Sequence, residues 1–175
     1  DSTTRAMKDI KYPFAYTVPL AAYMSFMGTG IWTYALVIYA FIFIPFLDVV
    51  TGEGDRNLSD DDPQYKKTNW IFDWMLYVNL PLVFGLLFLL LSNIHGGEYA
   101  PYELVGLALS GGILLATNGI NVAHELGHRA PYFERFISKA LYVPCLYMHF
   151  YIEHNFGHHI HVATPEDGAT AKYNQ

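Results

Sequence analysis

Five histidines in two compact groups are the residues of this chain best suited to chemistry. The groups read HELGH at residues 124–128 and EHNFGHH at residues 153–159, and each follows a strongly apolar stretch. Imidazole nitrogen is a good ligand for iron, zinc and copper. The sequence therefore predicts a metal site beside a membrane. Its candidate ligands are His124, His128, His154, His158 and His159.

Helical spacing indicates which of these histidines can share an ion. Residues four apart lie on one face of an α-helix, with Cβ atoms about 5–6 Å apart. We therefore expect His124 and His128 to chelate one ion, and His154 and His158 to pair in the same way. His159 lies about 100° further round the second helix, which suits a second ion. The pattern predicts a site with two metals.

Polar residues beside the ligands are candidates for a supporting role. Glu125 and Glu153 flank the histidines and are expected to orient the imidazole rings as hydrogen-bond acceptors, with a direct ligand role left open for either. Asn121 lies at the end of an apolar run and is a further supporting candidate, although it could equally satisfy the local backbone.

The first group also matches HExxH, the zinc metalloprotease signature in which the glutamate is the general base. Such a protease needs three protein ligands and an open coordination position. The two groups together offer five imidazoles. A membrane zinc protease therefore stays an alternative, and the two-metal site is favoured.

The elements that must position these groups are apolar helices. Hydrophobic residues make up 53% of the chain and charged residues only 15%, a balance outside that of soluble proteins. Four runs approach the roughly 20 apolar residues that span a bilayer, and a soluble bundle would leave too little polar surface. We expect an all-α, polytopic membrane protein in which residues 1–175 form a single membrane domain. The four runs are Tyr12–Met27, Ile31–Val50, Ile71–Ile94 and Tyr102–Ala123.

The positions of the basic residues predict an orientation. Lys and Arg occur before the first run, between the second and third, and after the fourth, whereas residues 28–30 and 93–101 contain none. With alternating spans, the basic segments share one side, which the positive-inside rule assigns to the cytoplasm. The fourth run ends at Ala123, so both histidine groups are expected at the cytoplasmic ends of the helices.

A further apolar stretch, Phe136–Ile152, is broken by Pro144 and is too short to cross a bilayer comfortably. We expect it to lie in the membrane interface or to dip into it. It would bring the second histidine group to the level of the first. The site would then roof a pocket open to lipid, which a water-insoluble substrate enters sideways.

The remaining composition excludes several functions. Cys145 is the single cysteine, so the chain holds no internal disulfide and no cysteine-ligated iron–sulfur cluster. Electrons for any redox chemistry must therefore come from another protein. The sequence contains no basic patch of the kind that would indicate binding to nucleic acid. The net charge of −6 reflects an acidic stretch at residues 53–62, which we interpret as a solvated linker.

HELGH followed by YIEHNFGHHIHVATPED resembles the first two histidine boxes of the membrane-bound alkane 1-monooxygenases. Residues 44–53 (IPFLDVVTGE) are similar to the stretch that ends the second helix of that family, and the resemblance runs from about Tyr12 to Lys172. The residues of the second box differ from those of fatty-acid desaturases and sterol hydroxylases, which have a similar arrangement of histidine boxes.

The resemblance implies a non-haem diiron enzyme of the bacterial inner membrane, with its metal site facing the cytoplasm. It would use O₂ to hydroxylate a terminal C–H bond of an n-alkane, with electrons delivered from NADH through rubredoxin reductase and rubredoxin. The five histidines would be iron ligands. A related membrane diiron hydroxylase or desaturase of fatty acids or hydrocarbons is the alternative.

Members of that family are considerably longer and carry a further ligand histidine and a third histidine box. Five histidines are too few for two stable irons. We therefore expect this chain to be the amino-terminal part of a longer catalytic domain, whose downstream part supplies the remaining histidines.

Overall fold

A computed structural model describes residues 16–51, 70–162, 164 and 167. The described residues form helices, and the connection between the second and third of them lies outside the described ranges. We label them α1 (Thr17–Met27), α2 (Gly30–Val50), α3 (Trp70–Gly96), α4 (Pro101–Gly127), α5 (Tyr132–Tyr142) and α6, which runs through Met148–Ile152, Glu153–His158 and His159–His161.

Three of these helices, α2, α3 from Phe72 onward, and α4, are long and apolar enough to cross a membrane. The expected helical membrane fold is confirmed. Helix α1 has 11 residues, about 16 Å of helix, which is shorter than the bilayer core of about 30 Å. The beginning of the first predicted span, Tyr12 to Ala15, lies outside the described residues. A fourth crossing therefore stays a prediction.

Three of the helices contain π-helical turns, in which backbone hydrogen bonds span five residues instead of four. These turns are Tyr39–Phe43 in α2, Leu115–Asn121 in α4 and Glu153–His158 in α6. The second lies directly before the first histidine group and the third contains most of the second group. A π-turn changes which side chains share a helix face. The turn in α4 therefore affects the direction in which the first group faces, and the turn in α6 affects the positions of the histidines within the second group.

The two loops that lack Lys and Arg lie side by side at one end of the bundle. The carboxylate of Glu103 accepts hydrogen bonds from the backbone N–H groups of Ala100 (2.7 Å) and Gly30. Gly30 adopts a φ of 60°, in the left-handed region that favours glycine. One buried acid at the start of α4 therefore caps its own helix and holds the α1–α2 loop against it.

Small side chains bring α2 and α4 into close contact below this end. A Cβ atom added at Gly106 would lie 2.6 Å from the ring of Tyr34. The hydroxyl of Ser110 donates to the carbonyl of Thr33 (2.9 Å). Close approach and short interhelical hydrogen bonds are the usual means by which membrane helices associate.

An ionic network joins three helices at the opposite end. Arg129, just after α4, donates to Asp73 of α3 (2.6 Å) and to Glu134 of α5 (2.9 Å), and the Tyr77 hydroxyl also donates to Glu134. Burial lowers the pKa of Arg129, but the hydrogen bonds to the two carboxylates outweigh burial and raise the pKa above its ordinary value. Arg129 therefore stays charged and fixes the end of α4 that carries the first histidine group.

Replacing this arginine tests the network. In Arg129→Met, the carboxylate of Glu134, whose side chain is 7% exposed, loses its cation. We expect the free energy of unfolding to fall by about 3 kcal/mol, measured by denaturant titration in detergent micelles. Lys139→Met, which removes an exposed cation from α5, is the control and should change it by less than about 1 kcal/mol. Equal unfolding midpoints for the two variants would contradict the role of Arg129.

The orientation can be tested with single cysteines in a Cys145→Ser background. Glu98 and Lys139 are both exposed and lie at opposite ends of the bundle. We expect a membrane-impermeant maleimide to label Glu98→Cys in intact cells and Lys139→Cys only after permeabilisation. Labelling of Lys139→Cys in intact cells would reverse the orientation.

Candidate metal centre

Four imidazole rings from α4 and α6 lie in one cluster, in which each ring nitrogen is close to that of a neighbour. The Nε2 atom of His128 lies 3.2 Å from that of His124 and 3.2 Å from that of His154. The Nε2 atom of His159 lies 3.0 Å from that of His154. His124, His128 and His154 each offer a ring nitrogen within 4.8 Å of those of the other two. Residues of both histidine groups therefore lie together in this cluster, and their role as metal ligands stays a prediction.

These separations fit ligands of a common ion better than hydrogen bonds. A neutral imidazole nitrogen carries either one hydrogen or one lone pair, whereas the Nε2 atoms of His128 and His154 each face two other ring nitrogens. Hydrogen bonding cannot satisfy all of these contacts. Nitrogens at about 2.0–2.1 Å from one metal ion would lie about 2.8–3.4 Å apart for bond angles near 90–110°. The residues present thus fit a transition-metal ion.

The second histidine group does not have the α-helical geometry assumed from its spacing. Because Glu153–His158 is π-helical, with backbone hydrogen bonds that span five residues, side chains four and five apart take different relative positions from those on an α-helix. His154 therefore pairs with His159, whose ring centroid is 4.5 Å away, and not with His158, whose centroid is 5.5 Å away. The expectation that His154 and His158 share an ion, with His159 turned towards a second one, differs from this arrangement.

His158 has a different partner. Its Nδ1 atom lies 2.7 Å from a carboxylate oxygen of Asp167, a side chain that is only 2% exposed. Sequence reasoning did not single out Asp167. The available signal was an acidic residue at the end of the VATPED extension, close behind a histidine group.

An aromatic wall covers one side of the centre. The ring of Phe150 stacks on that of His154, with centroids 4.9 Å apart and planes at 14°. The ring of Tyr147 also stacks on that of Phe150, with centroids 4.9 Å apart. Phe150 lies inside the stretch predicted to be interfacial and was not predicted to touch the site. The wall restricts water on this side and holds the orientation of one ligand ring.

This environment favours the neutral form of two of the rings, those of His128 and His154. Burial, followed by repulsion from the neighbouring histidines, lowers the pKa of His154 to about 4. Burial and the proximity of His124 also lower the pKa of His128. At neutral pH these two residues therefore carry no proton that a metal ion would have to displace.

The three predicted supporting residues lie near the centre without touching a ring. Glu125 is half exposed and lies 3.8 Å from Arg129, and Glu153 and Asn121 are exposed. Within the described ranges, no hydrogen bond joins any of the three to an imidazole. Their supporting role stays a prediction. Asn155 instead hydrogen-bonds His128 through its side chain.

Cys145 has the surroundings of a packing residue. Its Sγ atom lies 3.3 Å from the carbonyl oxygen of Leu141, and a Cβ atom added at Gly119 would approach it to 3.1 Å. Burial raises the pKa of Cys145. These contacts agree with the expectation of an inert thiol that fills the contact between α4 and the end of α5.

The predicted interfacial stretch is two helices and a tight turn. Helix α5 begins at Tyr132 and not at Phe136, and the chain reverses before α6 at Leu146, which has a φ of 53°. The side chains of Tyr132 and Leu146 are 87% and 88% exposed. Exposed apolar groups beside the centre are typical of a segment that faces lipid.

The chain resembles known proteins over most of its length. It is 34% identical over 148 residues to Alkane 1-monooxygenase of Pseudomonas putida, and 32% identical over 147 residues to Alkane 1-monooxygenase 1 of Alcanivorax borkumensis. Each match covers 83% of this chain. The chain is related to the alkane 1-monooxygenases. It spans 36% of the length of each of these two relatives.

A second comparison agrees with this relationship to the alkane 1-monooxygenases. Residues 101–175 match the fatty acid desaturase family, and this range contains both histidine groups. Together with the apolar helices, the relatives support an integral membrane protein.

Single substitutions test the composition of the centre. We expect His154→Ala to lose most of the bound transition metal, because its Nε2 atom contacts two of the other three nitrogens. His95→Ala is the matched control, since His95 is exposed near the opposite end of α3. Metal content per chain, measured by mass spectrometry on protein in lipid nanodiscs, should be unchanged in the control. An unchanged content in His154→Ala would remove that residue from the centre.

Proposed function

We propose that this chain takes part in the terminal hydroxylation of n-alkanes by O₂ at a histidine-bound centre of two irons. The observation that carries the proposal is the convergence of four imidazole nitrogens from α4 and α6, beside apolar helices, in a relative of the alkane 1-monooxygenases. The proposed location is the bacterial inner membrane, with the centre facing the cytoplasm.

The four converging residues His124, His128, His154 and His159 would hold one iron, and His158 would be a ligand of the second. When bound, iron would supply the activation of O₂ that an inert C–H bond requires. The chain's own contribution is to hold neutral imidazoles at fixed positions and to limit access of water. The complete burial of Leu126 and the stacking of Phe150 on His154 support both tasks.

An n-alkane offers no group for hydrogen bonding or ion pairing, so apolar walls must recognise it. An apolar groove of about 340 Å³ lies between α3 and α5 and is open to the side of the bundle, with a lining of Leu80, Pro81, Phe84, Phe136 and Ala140. We propose that substrate dissolved in the bilayer reaches the protein along this face.

Electrons would come from rubredoxin, reduced by an NADH-dependent rubredoxin reductase. Residues 1–175 contain one cysteine, Cys145, and one thiol cannot bind an iron–sulfur cluster, so this part of the protein supplies no such cluster of its own. The relatives are more than twice as long as this chain. We propose that the chain is the amino-terminal portion of a comparable catalytic domain and that further histidines of that domain complete the second iron site.

Desaturation of a lipid chain is the second candidate, because the fatty acid desaturase family matches the range that contains both histidine groups. Both reactions oxidise an unactivated C–H bond. They differ in whether oxygen enters the product. A zinc protease, the third alternative, would contain zinc and consume no O₂.

Labelled oxygen distinguishes these functions. The full-length native protein in nanodiscs, supplied with octane, ¹⁸O₂, NADH, rubredoxin and its reductase, is expected to form 1-octanol containing one ¹⁸O atom. The same mixture with His154→Ala should form none, and with Cys145→Ser it should form the normal amount. An unlabelled alkene would favour desaturation, and bound zinc with no O₂ consumption would favour the protease.

A further inference from the structure

Asp167 is a buried acid that the proposed ligand set does not use. Its side chain is 2% exposed and its Oδ2 atom lies 2.7 Å from the Nδ1 atom of His158. A buried carboxylate is costly unless a partner satisfies it. Asp167 is close to the Nδ1 atom of His158, a candidate ligand, and is therefore suited to orient that imidazole ring.

A compact turn brings the acid back to the histidine. The N–H of Thr164 donates to the carbonyl of His161 (2.9 Å), and the N–H of Asp167 donates to the carbonyl of Thr164 (3.2 Å). The hydroxyl of Thr164 also donates to the His161 carbonyl (2.6 Å). The two backbone bonds bring Asp167 next to His158, and the hydroxyl bond is an additional contact within the turn.

The contact determines which nitrogen of His158 carries hydrogen. An ionised carboxylate only accepts hydrogen bonds, and a neutral imidazole has one N–H. When the two groups are in these forms, the Nδ1 atom is the donor to Asp167 and the lone pair is on Nε2. This is the same nitrogen through which the four converging histidines approach one another.

His158 is also placed apart from those four rings. Its centroid lies 5.5 Å from that of His154 and 5.7 Å from that of His159, farther than the 4.5 Å between these two rings. It therefore lies beside the first ion site, with a free nitrogen of the correct kind for a second ion.

We propose that Asp167 is a positioning residue that fixes His158 in the Nδ1–H tautomer and so prepares its Nε2 atom for the second metal ion. The inference rests on the two-metal centre of the proposed function. Partners of this kind raise the basicity of a ligand imidazole, and their loss weakens metal binding by about 10–100-fold.

The test uses the full-length native protein in nanodiscs. Apoprotein is titrated with Co²⁺, and the visible absorption bands report the number of bound ions and the affinity of each. We expect Asp167→Ala to weaken one of two ions by about 10–100-fold and to leave the other unchanged. Asp167→Asn should lose less, because its amide oxygen still accepts the Nδ1 hydrogen.

Thr164→Ala is the matched control for the structure of the turn. It removes the hydroxyl bond to His161 and leaves the contact between Asp167 and His158. Both Co²⁺ affinities should stay at their wild-type values. An equal loss in Thr164→Ala and Asp167→Ala would assign the effect to the turn and overturn the proposal, as would wild-type affinities in Asp167→Ala.

A second measurement needs no change at Asp167. In wild-type apoprotein labelled with ¹⁵N in its histidine rings, the His158 signals are identified by their loss in His158→Gln. The Nδ1–H tautomer supports the proposal and the Nε2–H tautomer overturns it. If wild-type protein shows this tautomer and an Asp167-dependent second ion but oxidises no alkane, the proposed function fails and the role of Asp167 stands.

Discussion

Imidazole nitrogens as close together as those of His124, His128, His154 and His159 are unfavourable unless a cation joins them. Nitrogens 3.0–3.2 Å apart repel one another, and hydrogen bonds cannot link them all. The surrounding structure supplies the rigidity that this arrangement needs. Arg129 fixes the end of α4 against α3 and α5, and the Phe150 ring fixes His154. A metal ion bound at this cluster would also stabilise the folded state.

The sequence predicts the first histidine group well because that group lies on a regular α-helix. His124 and His128 have the four-residue spacing of an α-helix, and their ring centroids are 4.7 Å apart. The same α-helical spacing gives the wrong neighbour in the second group, since it pairs His154 with His158. Local sequence gives no signal that residues 153–158 form a π-turn, so the pairing of His154 with His159 follows only from the folded backbone.

Contacts made by tertiary structure were also beyond sequence reasoning. Asp167 reaches His158 through a turn whose bonds involve Thr164 and His161, and no periodic pattern encodes such a contact. Glu125, chosen because it adjoins a ligand, lies closer to Arg129. The apolar runs were predicted nearly to their ends because bilayer thickness sets their length.

The Glu103 carboxylate has a consequence for biosynthesis. It bridges the loop before α2 and the loop before α4, at the end of the bundle that the charge pattern assigns to the far side of the membrane. Helix α2 is synthesised first, so the N–H of Gly30 has no such acceptor until the α3–α4 hairpin has been inserted and its loop has been translocated. Insertion of a later hairpin thus completes the packing of an earlier one. In a ribosome-bound chain that ends before this loop, α2 would lie in the bilayer without the hydrogen bond between Gly30 and Glu103.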